Sequence, residues 1–543
     1  MQTMSSGIAR PVLFLTAREG EYVLKDEFQL GSSSRSTPQI TGSPLDPNTP
    51  VKRLFFMRIN IAQFSRWDYP YPREYIEELK KIHGVHHVEE NRDVPSILEN
   101  YRNSKRKSHN FSSSNTPYLK LHRPASRAGA PLINAKSFIS SLTFHDNIVR
   151  SFQPSIHGKT FVFANHEKSF YWLDVSAANS HSALLKMEFP RASPVCHDIN
   201  SFTKSPKGLD VIIGFDTGDV LWYDPINFKY LRFNKNGQLN SSSVTAIKWV
   251  AGKDSQFLVS FRNGWLVLYD KYRHEQPLHI VVPEKNLKSL YLSSPGTFNI
   301  LISINHRDDR KLNPVACYAF SKSPINGFCF SPDYQYLALV SERGTLKLFD
   351  FVKEHVLDVF HSYFAGLTCV TWSPDGKFIA IGGKDDLVSI YSFPLRKLVA
   401  RCQGHKSWVT DVIFDAWRCD DDNYRIASVG LDRKLLLWDF SVSAIHRPKS
   451  AVYYVNHHSN NSKPAISDFD DVGDLTMGSE IDNSNYVNGD ITIHPTLSRS
   501  LIPVISPITI YDVDDSPLSS VFFDPDCMIT CATNGRIRTW QRP

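Results

Sequence analysis

The stretch GHKSWVTDVIFDAWRCDDDNYRIASVGLDRKLLLWDF, Gly404 to Phe440, decides the fold of this 543-residue chain. It opens with Gly-His, nearly closes on Trp-Asp, and holds three short apolar runs between polar turns. The run WVTDVIF alternates as a half-buried strand does, IASVG is short, and LLLWDF is continuous, as expected for a strand covered on both faces. This pattern predicts one four-stranded blade of a β-propeller.

Four residues of this stretch resemble the hydrogen-bonded tetrad of WD repeats. In those repeats the tetrad consists of a His in the entry turn, a Ser on the second strand, an Asp in the tight turn and a Trp on the third strand. The matching positions here are His405, Ser428, Asp432 and Trp438. The resemblance implies a structural role, because the tetrad satisfies an indole N–H inside the blade. A His, a Ser and an Asp so close in sequence also suggest a hydrolase triad, but the repetition of the pattern favours the structural role.

The same register recurs in seven units. Each unit has a turn residue six positions before the residue that ends its third strand. The pairs are Glu167 with Leu173, Thr217 with Tyr223, Asn263 with Tyr269, Arg343 with Phe349, Asp385 with Tyr391, Asp432 with Trp438, and Asn534 with Trp540. Six of the seven end positions are aromatic. The sequence therefore predicts an all-β, seven-bladed WD-repeat β-propeller.

Two irregularities in the spacing need separate explanations. Between Tyr269 and Phe349 the stretch NPVACYAF, residues 313–320, predicts the outer strand of the third blade, which keeps the count at seven. The sequence also ends just after the third strand of the last unit, so the fourth strand of that blade must come from elsewhere. Residues 22–25 and their neighbours are our preferred candidate, and residues 51–61 (VKRLFFMRINI) compete with them. Closing the ring in this way removes exposed strand edges.

These patterns divide the chain into three predicted parts. Residues 1–30 form the region that closes the propeller, and residues 31–140 form a linker that is partly disordered and carries a short helix at 73–83. Residues 141–543 form the propeller, with a long polar and disordered insert at about 445–490. Its acidic part, 468–490, carries seven acids and no Lys or Arg. This charge complements the basic segment 101–127, whose cluster at 105–107 is read either as a nuclear-import signal or as a solvated loop.

Composition excludes several classes of function. The 61 Lys and Arg against 55 Asp and Glu give a net charge of +6, so no general nucleic-acid grip is expected. The eight cysteines contain no CxxC and are expected to be free thiols in a reducing compartment. No signal peptide or membrane span is predicted, and we expect a soluble protein of the cytoplasm, with the nucleus as a second location. His86 and His87, near Glu89 and Glu90, lack a second ligand cluster, so no metal is predicted.

The sequence also lacks the motifs of an enzyme. It contains no Walker loop, GxSxG, HExxH or dinucleotide fingerprint, so we expect no catalytic residues and no cofactor. Exposed aromatic or Arg residues beside the predicted turns are candidates for partner binding, because these types dominate binding hot spots. They are Trp265, Arg343, Phe364, Trp408 and Arg433. Ordinary packing is the alternative for each of them, whereas Trp438 and Trp540 are assigned to the core.

Several separated blocks are similar to the creC family of WD-repeat proteins. They include CHDIN (196–200), GFDTGDVLWYDP (214–225), SYFAGLTCVTWSPDGKFIAIGGKDDLVSIYSF (362–393) with the following GHKSWV, TAREGEYVL near the start, and HPTLSRSLIPVISP (494–507). The segments 31–140 and 445–490 depart from the family. The resemblance implies a non-catalytic protein that binds and activates a ubiquitin-specific protease, often alongside a second WD-repeat protein. The alternative is a propeller adaptor that delivers substrates to a ubiquitin ligase or reads phosphopeptides, which a ring of Arg and Lys on one face would favour.

Overall fold

Short apolar runs separated by tight turns fold into a ring of seven sheets, which confirms the predicted all-β, seven-bladed propeller. This architecture is seen in a computed structural model. The model describes residues 13–31, 59–64, 119–120, 138–144, 159–175, 183–205, 208–227, 229–275, 299–301, 312–442, 486–488 and 491–543. The predicted helix at 73–83, the basic segment 101–127 apart from residues 119–120, and the acidic residues 468–485 lie outside these ranges.

The four inner strands of each blade are antiparallel, and the innermost strands of successive blades, from blade 1 to blade 7, contact each other. From the inside outwards, blade 1 consists of Ile59–Phe64, Lys159–His166, Ser169–Asp174, Leu185–Glu188 and Ser141–Phe144. Blade 2 consists of Pro194–Ile199, Val211–Phe215, Val220–Asp224, Lys229–Phe233 and Leu119–Lys120. Blade 3 consists of Val244–Trp249, Gln256–Phe261, Trp265–Asp270, Ala316–Ala319 and Asn299–Leu301. The predicted outer strand of blade 3 is confirmed, because Ala316–Ala319 pairs with the start of Trp265–Asp270.

The other four blades follow the same plan. Blade 4 consists of Ile325–Phe330, Tyr336–Ser341, Thr345–Asp350, His355–His361, Ile491–His494 and Tyr486–Asn488; blade 5 of Leu367–Trp372, Phe378–Gly383, Leu387–Ser392, Lys397–Gln403 and Val504–Ile505; blade 6 of Val409–Phe414, Asn423–Gly430, Lys434–Ser441 and Thr509–Asp512; and blade 7 of Leu518–Phe523, Cys527–Ala532, Arg536–Gln541, Gly20–Gln29 and Phe14–Ala17. A small parallel pair, His274–Glu275 with Leu312–Asn313, lies beside blade 3.

The core lies between neighbouring blades, which explains why the third strands are continuous apolar runs. Each third strand has one blade face against the preceding blade and one against the following blade, so both faces are covered. The aromatic residues that end these strands, such as Tyr269, Phe349 and Trp438, are all buried. The second and third strands are joined by tight turns on one face of the ring. We call this the turn face, and the other the opposite face.

Strands from outside the repeats complete the ring. Gly20–Gln29 pairs with Arg536–Gln541 as the fourth strand of blade 7 and buries Tyr22 and Phe28. The competing segment is used elsewhere, since Ile59–Phe64 is the inner strand of blade 1 and pairs with Lys159–His166.

The sheets therefore do not begin at residue 141, as the sequence suggested. Ser141–Phe144 is instead the outermost strand of blade 1, and residues 59–64 and 119–120, which we assigned to the linker, belong to blades 1 and 2. The register of the third strands gives no information on which segment pairs with a free strand edge, because pairing uses backbone groups that every segment carries.

The long gap before the last unit contains more than a polar insert. Residues 491–513, which we call the strap, run along the outside of three blades. Ile491–His494 pairs in parallel with the outer strand of blade 4, and Val504–Ile505 does so with that of blade 5. Thr509–Asp512 then supplies the outer strand of blade 6. The strap is anchored by His494, whose Nε2 lies 2.7 Å from Asp358 Oδ1 and whose ring stacks on Phe360 at 4.2 Å.

Candidate functional site

The four tetrad residues of blade 6 form one connected hydrogen-bonded chain. His405 Nδ1 lies 2.9 Å from Asp432 Oδ2, His405 Nε2 lies 2.8 Å from Ser428 Oγ, and the Trp438 indole N–H donates to Ser428 Oγ at 2.8 Å. Burial favours a raised pKa for Asp432, but the His405 contact and two backbone N–H groups hold that pKa below its ordinary value. The chain joins the entry loop, second strand, turn and third strand of one blade.

This cluster does not have the geometry of a hydrolase active site. Ser428 is 0% exposed, and its hydroxyl is already shared between the imidazole and the indole N–H. A nucleophile must reach a substrate carbonyl while it hydrogen-bonds to its base. Because Trp438 covers the hydroxyl instead, the four residues act as a structural staple.

Other blades satisfy the corresponding groups differently. Trp540 is buried in blade 7, and its indole N–H donates to Thr530 Oγ1 at 2.9 Å. In blade 2 the N–H of Trp222 donates to Asp210 Oδ1 at 2.7 Å, and Lys271 pairs with the other carboxylate oxygen at 2.7 Å. The core assignment of Trp438 and Trp540 is confirmed, since both are almost completely inaccessible.

The turn face has a cavity of about 380 Å³ at the centre of the ring, which we call the mouth. Its lining includes four charged side chains from different blades: Glu167, Arg262, Glu342 and Lys384, from blades 1, 3, 4 and 5. The charges alternate in sign in this order, so the mouth is polar without being strongly acidic or basic. Such a lining is suited to a surface with mixed charges, not to a polyanion.

One side of the mouth is pre-organised by a network of contacts. The Lys384 ammonium forms an ion pair with Glu342 and lies 4.4 Å from the centre of the Trp408 ring. Asn326 Nδ2 donates to the other Glu342 oxygen at 2.7 Å. A cation held over an aromatic face restricts both side chains. On the other side, Arg262 is exposed and forms no ion pair within the described part of the chain.

The five predicted contact residues do not form one cluster. Trp265 is half-buried and packs against the core between blades 2 and 3. Trp408 lines the mouth beneath Lys384. Arg343 and Phe364 are exposed on adjoining loops of blades 4 and 5, and Arg433 is exposed in the turn of blade 6 with a φ of 67°.

Sequence reasoning named Glu167 only as a turn residue and missed the other three charged residues that line the mouth, namely Arg262, Glu342 and Lys384. A signal was present, because each of them immediately precedes the turn residue of its unit. The residue before the turn residue lies at the end of the second strand or in the hairpin that joins the second and third strands. Several units therefore place this residue on the turn face of the ring. The charge pattern becomes visible only when the seven units are aligned on the turn.

Lys347 has the lowered pKa that is typical of a catalytic amine, because burial lowers its pKa to about 8. Its side chain is almost fully buried in the third strand of blade 4, and its Nζ donates to the Phe320 carbonyl at 2.7 Å. The residue does not line the mouth. A substrate therefore has no access to this amine. What can be measured is how much the buried Lys347 ammonium lowers the stability of the protein.

The variant Lys347→Met is expected to be about 2 kcal/mol more stable than the parent at pH 7. The shift of the pKa to about 8 corresponds to a penalty of about 3 kcal/mol for the buried charge, and the lost hydrogen bond offsets about 1 kcal/mol. The native lysine releases its proton near pH 8 and the unfolded one above pH 10. Parent stability therefore rises over this range and the advantage of the variant shrinks. Urea unfolding at pH 7 and pH 10 measures the difference in unfolding free energy between variant and parent, and Lys353→Met, at an exposed lysine, is the control. A difference that is the same at both pH values contradicts the prediction.

Among the described residues, no three His, Cys, Asp or Glu side chains are grouped so that they could hold a metal ion. Within the same residues, no helix has the length and hydrophobicity that crossing a membrane requires. None of the eight cysteines, all of which lie in the described ranges, forms a disulfide, and most of them are buried. Burial raises the pKa of Cys317 to about 12, which opposes nucleophilic reactivity of this thiol.

Two family models match the part of the chain that contains blades 4 to 6. Residues 328–416 match the WD40 domain of anaphase-promoting complex subunit 4, and residues 396–439 match the WD domain, G-beta repeat. The second match begins just before the outer strand of blade 5 and includes all four tetrad residues. Propellers of this type generally bind protein partners and typically serve as non-catalytic scaffolds. Together, the two matches and the seven-bladed ring support a WD-repeat β-propeller protein.

Proposed function

We propose that this protein is a non-catalytic scaffold that binds a ubiquitin-specific protease and raises its activity. The observation that supports this most directly is where the blocks of creC-like sequence lie. The block 362–393 with the following GHKSWV contributes Phe364, Lys384 and Trp408 to the turn face. The block 494–507 is part of the strap beside it. The resemblance therefore includes exposed and cavity-lining positions, as expected when a surface is used for binding.

The mouth has the physical properties of a protein-binding site. On one side of it, Glu342, Lys384 and Asn326 are held by contacts within the propeller, so these side chains lose little freedom when a partner binds. Its alternating charges favour a protein surface over a phosphopeptide, which would require a ring of basic side chains. The turn positions themselves include both acidic and basic residues. These features favour a protease-binding scaffold over an adaptor that reads phosphopeptides.

Activation without catalytic residues requires that the scaffold bind one conformation of the protease more tightly than the others. A tenfold shift toward the active conformation needs a difference in binding free energy of about 1.4 kcal/mol. A few contacts at a rigid surface can supply this amount. The proposal includes a second WD-repeat protein in the complex, a location in the cytoplasm with the nucleus as a second location, and no cofactor.

The variant Arg262→Glu is expected to weaken protease binding about tenfold, because removal of a central Arg contact typically costs 1–2 kcal/mol. The tagged protein is first recovered from its own cells and its partners are identified by mass spectrometry. Cleavage of a fluorogenic ubiquitin substrate by the recovered protease is then measured as purified parent or variant is added. The matched control is Lys397→Glu, which reverses an exposed charge on the opposite face.

Each outcome of this experiment has a defined meaning. A rise in cleavage with the parent and with Lys397→Glu, but a weaker response to Arg262→Glu, supports both the function and the mouth as the contact. Equal activation by all three proteins retains the function but excludes Arg262 as a contact. Recovery of cullin-type ligase subunits without ubiquitin cleavage replaces the proposal with the ligase adaptor.

A further inference from the structure

A second exposed surface lies where blades 4 and 5 meet the strap. It consists of Arg343 in the turn of blade 4, Phe364 in the loop between blades 4 and 5, and Arg499, Leu501 and Val504 on the strap; we call it the rim surface. Phe364 is 63% exposed, Leu501 62% and Val504 47%. Three large apolar side chains therefore face solvent beside two arginines, a composition found at binding hot spots.

The parts of the rim surface are held together by short contacts. Ser362 N donates to the Gly344 carbonyl at 2.7 Å, which joins the loop that carries Phe364 to the turn that carries Arg343. The Arg499 guanidinium lies 4.6 Å from the Phe364 ring centre and 5.1 Å from that of Tyr363. Arg401 fixes the strap from below, because its Nη2 donates to the Arg499 carbonyl at 2.7 Å.

The loop that presents Phe364 is itself constrained. The Ser362 hydroxyl lies within hydrogen-bond distance of the carbonyls of Phe364 and Ala365, at 3.2 and 3.1 Å. Ala365 has a φ of 53°, which a residue other than glycine adopts only when its surroundings hold it there. On the strap side, Ile502 is buried in the core next to Tyr363. The exposed side chains therefore project from a rigid base, which lowers the entropy lost on binding.

The charge of the rim surface is not balanced by neighbouring acids. Within the described ranges, neither Arg343 nor Arg499 forms an ion pair with a carboxylate. The Arg499 charge acts on the half-buried Asp385 only through space. Two guanidinium groups that can each donate two hydrogen bonds to a carboxylate are thus available at the surface.

We propose that the rim surface docks an extended segment of a partner protein in which carboxylates stand next to apolar side chains. This inference rests on the proposed function as a protein-binding scaffold and specifies the chemistry of a partner segment. The carboxylates pair with Arg343 and Arg499, and the apolar side chains cover Phe364, Leu501 and Val504. A nucleic acid would satisfy the arginines and stack on Phe364, but it offers nothing for the two aliphatic side chains. The combined surface therefore favours an acidic and apolar peptide.

The test uses a fluorescein-labelled twelve-residue peptide in which Asp alternates with Leu and Phe, titrated with the full-length protein and followed by fluorescence polarisation. We expect Arg499→Glu to weaken binding at least tenfold and Phe364→Ala about fivefold. Arg499→Gln, which removes only the charge, is expected to give an intermediate loss. The matched control is Arg191→Glu, an exposed arginine in the loop between blades 1 and 2, outside the rim surface. Circular dichroism of each variant verifies that the fold is intact.

Two further probes separate the sources of binding. A peptide with every Asp replaced by Asn is expected to bind at least tenfold more weakly. Equal binding of this peptide, or equal binding by Arg499→Glu and Arg191→Glu, overturns the proposal. A twelve-nucleotide single strand that binds tightly and depends on Arg499, when the acidic peptide does not bind, overturns it in favour of nucleic acid.

The ubiquitin-cleavage assay distinguishes failure of this inference from failure of the proposed function. If the protease is recovered and activated but the acidic peptide does not bind the rim surface, the function stands and the inference fails. If no protease is recovered and the peptide binds with the expected dependence on Arg499 and Phe364, the rim surface stands and serves another protein partner.

Discussion

Replacing Trp438 with alanine is expected to lower the free energy of unfolding by about 3–5 kcal/mol, the usual cost of emptying a large aromatic site in a core. Trp438 is 0% exposed and packs in the core between blades 5 and 6. Its indole N–H also satisfies the buried Ser428 hydroxyl at 2.8 Å. The substitution therefore creates a cavity and breaks the connected chain that joins four parts of the blade.

Urea unfolding followed by circular dichroism measures this loss. Trp438→Phe keeps most of the volume and removes the N–H donor, so its expected cost is smaller, about 1–3 kcal/mol. Trp265→Ala is the matched control, since Trp265 is half-buried and its removal leaves a smaller void. Equal losses for the two alanine variants would show that burial in the blade does not determine the cost.

The variant Arg542→Met is also expected to lose about 3–5 kcal/mol, because it removes the short bidentate partner of the buried Asp415 carboxylate and leaves Arg418, at 3.9 Å, as its remaining cationic neighbour. Arg542 Nη2 lies 2.6 Å from Asp415 Oδ2, and Nη1 lies 3.0 Å from Oδ1. The two side chains are only 6% and 0% exposed. The pair ties the last residues of blade 7 to the loop of blade 6, so its loss also loosens the closure of the ring.

The pH dependence of this second effect has a defined sign. Burial raises the pKa of Asp415, and the Arg542 guanidinium opposes that rise. Without Arg542, the pKa rises further, so the native carboxyl of the variant binds a proton that the unfolded carboxyl does not. The stability deficit of the variant is therefore largest at pH 7 and is expected to shrink as the pH falls toward 4. Unfolding in urea at both pH values measures it, and adding Asp415→Asn to the variant is expected to recover part of the loss. A deficit that grows on acidification contradicts the ion-pair explanation.

The repeat and the tetrad were readable from the sequence because both depend on local spacing. A third strand covered on both faces must be apolar throughout, and the tight turn before it selects small or polar residues. His405 and Ser428 were identifiable because blade 6 retains the residues that satisfy the Trp438 N–H. By contrast, individual contact residues were predicted from their type and their nearness to a turn, and these criteria do not define a cluster.

The sequence by itself determined the all-β class, the seven units and the core role of residues such as Trp438. Only the tertiary structure decided which distant segments complete the blades: Ile59–Phe64 inside blade 1, Gly20–Gln29 outside blade 7, and the strap across blades 4 to 6. The physical reason is that a strand edge pairs through backbone groups common to all residues, so side-chain patterns do not name the partner. The mouth and the rim surface depend on this pairing, because the ring gathers the charges of the mouth and the strap carries Arg499 to Phe364.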